Sequence, residues 1–395
     1  MSEHEMLRED IPEEKRKKPQ GKILLAVAVA VLWAAMALFL LGMLARPVEH
    51  ASAETVKTDL TAEFENMLAK KLNGVGQIDR DSVIFAPVKR DYILSDLDMV
   101  APKPNPAHYG TVSDPAELET LLREAQELLD GQQTLFTTDT VIVEGSQITY
   151  YLDETIFAVT WKQAVGGCVY TISEVKIAHA SQFRRFLADG KYGASTAYTT
   201  QEMATSVNAV VASSGDFYGH RGVGVCVYQG AVYRSSGRHL DTCFVDENGD
   251  LRFVRRGKIQ DKEAAQEFVD ENKVRFSLSF GPVMIQDGEF AVPSKYSVGE
   301  INEPYARAAL CQLGPLHYAM VAANYEHPYH VLHKVSRFAR NLLEMGVPNA
   351  YALDGGQTAA IVMDNQLINN VSYGAQREIS DIIYFATAIP EEDWQ

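Results

Sequence analysis

Cysteine is scarce in this sequence: four in 395 residues, Cys168, Cys226, Cys243 and Cys311, none in a C-x-x-C pair. A zinc cluster built on paired thiolates is thereby excluded, while disulfides, in any of three pairings, and buried free thiols both stay open. Basic residues are also in deficit, 36 Lys and Arg against 52 Asp and Glu, for a formal charge of -16. A phosphate backbone needs a basic face, so nucleic acid is not an expected partner. There is no P-loop, no G-x-S-x-G serine motif and no dinucleotide fingerprint, since "GVGVCV" (Gly222–Val227) lacks both the glycine spacing and the helix that must follow. Repeats of solenoid period and low-complexity tracts are absent as well.

Long apolar runs are limited to one. Ile23 to Ala45 carries no charge, which is long enough to cross a hydrocarbon core of ~30 Å as a helix. Lys15, Arg16, Lys17, Lys18 and Lys22 precede it and only Arg46 closely follows. The positive-inside rule then predicts a cytoplasmic tail (1–22), a single transmembrane helix (23–45) and an extracellular remainder. Ala51-Ser52-Ala53 offers a signal-peptidase alternative, but the length of the run and Arg46 favour a retained anchor. Residues 46–110 read as a juxtamembrane stalk and linker. Val56, Leu60, Phe64, Met67, Leu68 and Leu72 recur at helical spacing and offer a homodimer seam, and "APKPNPAHYG" (Ala101–Gly110) holds three prolines.

The extracellular domain is expected over 111–395. Asp114 caps a helix with Pro115 at its first position and an apolar stripe from Leu118 to Leu129. From Val141 onward β-branched and aromatic residues dominate, with short turns between them. Further helices are predicted at Ser181–Ala188, Thr200–Ser206, Asp261–Asn272 and about Tyr329–Met345. Two strand ends attract attention. One apolar strand stops at Ser213-Ser214-Gly215 and presents Asp216; another, Tyr351-Ala352-Leu353, delivers Asp354 to Gly355 and Gly356. Adjacent glycines allow close approach to backbone and can aim N–H groups at an anion, although Asp-Gly-Gly is also an ordinary turn.

Taken in order, "SSGDFYG", "SFGPVMIQDGE", "ARAALCQLGPLHY", "ALDGGQTA" and "REISDIIYF" resemble the phosphodiester glycosidase family, which includes the animal uncovering enzyme and many bacterial exopolysaccharide biosynthesis proteins. The similarity spans roughly residues 148–388. It implies an α+β fold, a mixed β-sheet with flanking helices, and hydrolysis of a sugar phosphodiester of the N-acetylglucosamine 1-phosphodiester kind in a cell-envelope glycan. No cofactor is implied, and a divalent metal is left open. Three departures from the family pattern occur: Ser214 where asparagine is usual, Gln357-Thr358 where Gly-Ser is common, and the Tyr325-Glu326 stretch "NYEHPYH" in place of a Gly-Arg pair. They motivate a rival, a module that binds anionic polysaccharide or scaffolds its assembly without turnover.

With the resemblance, Asp216 and Asp354 become the carboxylate pair. Arg307 and Arg377 are the expected phosphate clamps, since a planar guanidinium holds two oxygens at once. Gly355, Gly356, Thr358, Ser214 and His220 complete the expected substrate contacts, with Arg221 a lesser candidate. His327, His330 and His333 recur at intervals of three near a helix start, where they would hold phosphate or a metal, or simply pack.

Overall fold

A computed structural model of the chain describes residues 92–394. The expected tail, transmembrane helix and stalk stripe lie outside the described residues. Among the described residues no helix is long and apolar enough to cross a membrane.

The α+β class holds. Its frame is a nine-stranded sheet ordered Tyr109–Val112, Ile148–Leu152, Ile156–Val165, Cys168–Ile177, His317–Asn324, Arg307–Gly314, Asn349–Leu353, Val283–Gln286 and Glu289–Phe290. A five-stranded sheet, Gln366–Leu367, Ile361–Met363, Val211–Ser214, Asp381–Phe385 and Phe183–Leu187, lies against one face. The resemblance implies a mixed sheet; the ladders of both sheets are antiparallel throughout. Tight hairpins such as Val165–Cys168 and Gly314–His317 leave no room for the crossovers that parallel pairing requires.

Alternation along the strands sorts the core into layers. On the inner strands Phe157, Val159, Trp161, Ala319, Val321 and Ala350 face one way, towards Leu118 and Leu121 of the helix Pro115–Glu124, its C-cap Ala125, and Phe338, Ala339 and Leu342 of the helix Val335–Glu344. Their neighbours Ile156, Ala158, Met320, Ala322, Tyr351 and Leu353 face the other way, onto Val211, Ile361, Ile383 and Phe385 of the five-stranded sheet. The sheet is thus covered on both faces, helices on one side and a second sheet on the other.

Local signals hold in most places. Asp114 caps its helix by accepting from the Ala116 N–H at 2.7 Å, Asp261 caps the helix Lys262–Asn272, and Thr200–Ser206 is helical behind a Thr199–Glu202 capping box. Two helices differ from expectation. Residues 183–187 form a strand, because every position but Phe186 is buried and Arg185 and Asp381 need one another. The last helix begins at Val335, not Tyr329, since the Glu326–Tyr329 turn and the Tyr305–His333 bridge hold the preceding stretch out of helical form. The proline-rich Ala101–Gly110 is not a free linker. Ala101 N–H donates to Val207 O, and Tyr109 and Gly110 begin the edge strand.

Candidate active site

The interior strand Asn349–Leu353 of the large sheet and the strand Val211–Ser214 of the smaller one end side by side, and the Ser214 hydroxyl donates to Asp354 O at 3.5 Å. Asp354 opens into a cleft of about 190 Å³ whose walls include Phe280, Glu300, Tyr305, Arg307, Gly355, Gly356 and Arg377. Three of the four residues expected as carboxylates and clamps therefore share one hollow. Asp216 does not line it.

Asp354 ion-pairs with Arg377. Burial pushes its carboxyl above the usual carboxylate range, while Arg377, the Thr358 hydroxyl and Arg221 pull the other way. Its glycines work differently from expectation. A Cβ on Gly355 would stand 2.3 Å from Ala306 O, so the turn needs glycine to nest against the neighbouring strand. The Gly355 N–H donates to the Asp354 carboxylate and the Gly356 N–H to Ala306 O. With both donors taken, this turn is not an open anion cradle. Thr358 is buried and donates to Gly355 O at 2.8 Å, which closes the turn.

Arg307 is likewise committed. Its Nε donates to His333 O, Nη1 to Gly299 O, and Nη2 to Glu300 O and Glu303 O. Four of five N–H donors are thereby engaged, so a two-point grip on phosphate would require releasing backbone carbonyls; the residue lines the cleft as a strut for residues 299–303. Burial pushes its guanidinium down to about 10, with Glu300 opposing. Arg377 is the freer cation, 43% exposed on its side chain, with its guanidinium carbon 4.7 Å from the centre of the Phe217 ring.

Behind the cleft, Asp216 is 1% exposed and its carboxylate is satisfied on both oxygens, by Arg185 Nη2 at 3.0 Å and by the Ser279 N–H at 2.7 Å. Arg185 also binds Asp381 at 2.8 Å, and the Asp216 N–H donates to the Asp381 carboxylate. Two carboxylates thus share one guanidinium in a fully dry setting. Burial raises Asp381, opposed by Arg185 and reinforced by Asp216, to about 6. A Cβ on Gly215 would meet Asp381 Oδ2 at 2.0 Å, so this turn too demands glycine. Asp216 is a buried anchor of the turn, not a second carboxylate facing ligand.

That turn carries Phe217, held at φ 64° in the left-handed region, with the exposed His220 ring stacked on it at 4.5 Å. Arg221 lies under it, 4.6 Å from the Phe280 ring centre and 5.3 Å from that of Phe217. Its Nη2 donates to Asp216 O, whereas Nε and Nη1 are buried and meet no acceptor. The three histidines of 327–333 do not share one site, although the His327 and His330 ring centres lie 5.6 Å apart. His333 is buried against Tyr170, Asn341 and Gly166 O, while His330 stacks on Tyr325. Among the described residues no group of His, Cys, Asp or Glu is placed to hold a metal ion.

All five sequence motifs fall inside one comparison. Residues 207–386 match the family model of the phosphodiester glycosidases. The resemblance carried by the motifs is therefore a family match over that stretch, which holds Asp216, Arg221, Phe280, Arg307, Asp354, Arg377 and Asp381 but not Arg185. No curated protein sequence matches the chain. Among solved structures, the chain aligns with the catalytic domain of zebrafish N-acetylglucosamine-1-phosphodiester alpha-N-acetylglucosaminidase, auto-inhibited by its pro-peptide, at 16% identity and TM-score 0.47, covering 66% of this chain and 92% of that one. A hypothetical protein from Synechocystis aligns at 14% identity and TM-score 0.43, over 63% of this chain. An exported protein from Burkholderia pseudomallei aligns at 11% and 0.39, over 56% of this chain and 74% of that one. The chain spans 64% of the Synechocystis protein's length.

Arg185 and Asp381 are the site residues that sequence reasoning missed. Asp381 sits inside "REISDIIYF" and was within reach as the polar start of an apolar strand. Arg185 lies in "SQFRRFLADG", where nothing in the spacing distinguishes it from Arg184.

Proposed function

We propose that this domain hydrolyses the bond between the anomeric carbon of a sugar and a phosphodiester. The observation that carries the reading is the placement of Asp354 at the end of an interior strand, in a cleft, beside Arg377 and within the matched family stretch. A departing phosphate needs little protonation, so one carboxylate is enough. Asp354 takes a proton from an attacking water, whose oxygen bonds to the anomeric carbon; the bond between that carbon and the phosphate oxygen breaks, and its electron pair leaves with the phosphomonoester. A carboxyl raised by burial is closer to the pKa that suits a general base near neutrality. Arg377 orients that carboxylate and neutralises charge on the departing group.

The full reading places the domain outside the cell on a single-pass anchor, acting on an envelope glycan that carries N-acetylglucosamine or a related sugar through phosphate. The uncharged run Ile23–Ala45 behind a basic flank supports it. Protease treatment of intact cells is expected to remove the domain while sparing the tail; full protection sinks the topology.

The deciding experiment incubates the full-length chain, and Asp354→Asn, with N-acetylglucosamine linked to a phosphate diester and follows free sugar. Wild-type turnover that falls by about 10²–10⁴ in the variant is expected. The non-catalytic polymer binder is favoured by one observation, the ion pair that already occupies Asp354. It prevails if no sugar of a panel is released while the ligand still binds.

A further inference from the structure

Arg221 is a partly exposed cation without a countercharge. It makes no ion pair among the described residues, two of its three nitrogens are buried with no acceptor, and its flat faces are covered by the rings of Phe217 and Phe280. Leaving buried N–H groups unpaired is costly, so native proteins keep few of them, and each calls for a physical account. Phe217, which roofs it, is also unusual. A phenylalanine in the left-handed backbone region is strained, and such strain collects where structure serves binding or switching. Arg377 reaches the same ring from the cleft side, and Arg221 is close enough to act on the Asp354 carboxyl.

The geometry points to Arg221 as a covered anion-binding residue of the Asp354 cleft, exposed when a monoanionic phosphodiester displaces the Phe217 ring. The displaced ring gives up cation–π contacts with Arg221 and Arg377, and the ligand replaces them with charge-assisted hydrogen bonds to the Nε and Nη1 groups. The preference for one negative charge follows from the surroundings. Four guanidiniums, Arg185, Arg221, Arg307 and Arg377, stand against four carboxylates, Asp216, Asp354, Asp381 and Glu300, so no positive excess is left to meet a second negative charge, and Asp354 repels a dianionic monoester more strongly than a monoanionic diester. The inference rests on the proposed function only for its choice of ligand class.

Its test needs no turnover. The full-length chain is titrated at about pH 8 with dimethyl phosphate, which carries one charge, and with methyl phosphate, which carries two above its second pKa of about 6, and affinities are read by phosphorus NMR. Dimethyl phosphate is expected to bind more tightly than methyl phosphate. Arg221→Met keeps an unbranched stem between the two rings, and is expected to weaken dimethyl phosphate at least about tenfold. Phe217→Gly removes the roof at a backbone position glycine favours, and is expected to tighten it. Should Arg221→Met fail to fold, Arg221→Lys, which keeps the charge but not the planar donor set, is expected to bind between wild type and none. Unchanged affinity in the Arg221 variants, weaker binding in Phe217→Gly, or tighter binding of methyl phosphate each overturns the inference. If these affinities behave as expected and no sugar phosphodiester is cleaved, the proposed function falls and this inference stands; if turnover occurs while binding is independent of Arg221, the inference falls and the proposed function stands.

Discussion

Gly355 has no room for a side chain, and this decides how its motif should be understood. An added methyl would stand 2.3 Å from the Ala306 carbonyl, so Gly355→Ala is expected to destabilise the fold by about 1–3 kcal/mol, measured by urea unfolding, through backbone displacement. Reduced turnover would follow from misplacing Asp354. The Asp-Gly-Gly sequence advertised a special turn correctly; the reason differs, since close strand packing and not anion capture demands the glycine. That Asp354 would stand at a strand-end turn was legible from the apolar run before it and the two glycines after it, and the structure opens that turn into a cleft. Arg307 was misread because a sequence does not reveal where backbone carbonyls converge, and four of them claim its donors. Asp216 looked equivalent to Asp354, each being an acid at a strand-end turn, until burial separated them.

At the scale of elements, the strand Phe183–Leu187 and the strand Asp381–Phe385 are joined by Arg185, which faces two carboxylates. Arg185→Met strands both acids in a dry interior and is expected to cost about 3–5 kcal/mol of stability. Asp381→Asn leaves a balanced Arg185–Asp216 pair, so its cost is expected to be much smaller; equal losses in chemical denaturation would contradict the shared-guanidinium arrangement. The pH response has a definite sign. Asp381 is raised to about 6 in the fold, against an ordinary carboxylate near 3.9, so the native state holds a proton that the unfolded chain releases. Stability is expected to fall as pH rises from about 4 to about 6, and Asp381→Asn removes that slope. Thermal midpoints across this window check it. The helical expectation for 181–188 failed because tertiary demands on Arg185 and the edge of the smaller sheet outweigh local spacing, which in so short a stretch cannot separate a helix from a strand.

For the whole molecule, the alternation that splits the core residues between two faces was visible from Val141 onward, and with it the β-rich character; which strands neighbour which was not, because pairing over long sequence separations leaves no local mark. The thiols are a further global case. Cys168, Cys226, Cys243 and Cys311 are all buried and free, and burial pushes Cys226 up to about 11 and Cys168 up to about 12. Reductant is therefore expected to leave the thermal midpoint unchanged, and thiol reagents to label the chain only on unfolding; rapid labelling of the native protein would contradict it. The stability of the large domain rests on layered burial, with no covalent staple among the described residues.

The Arg307 strut has one more consequence. Because a single guanidinium gathers the carbonyls of residues 299, 300, 303 and 333, it works like the pin of a hinge that has been locked, keeping one jamb of the doorway at a fixed distance from Asp354. Arg307→Lys unlocks the pin without removing charge, so the aperture itself would become adjustable and the bulk of the accepted sugar, more than the rate with a small one, is the property expected to drift.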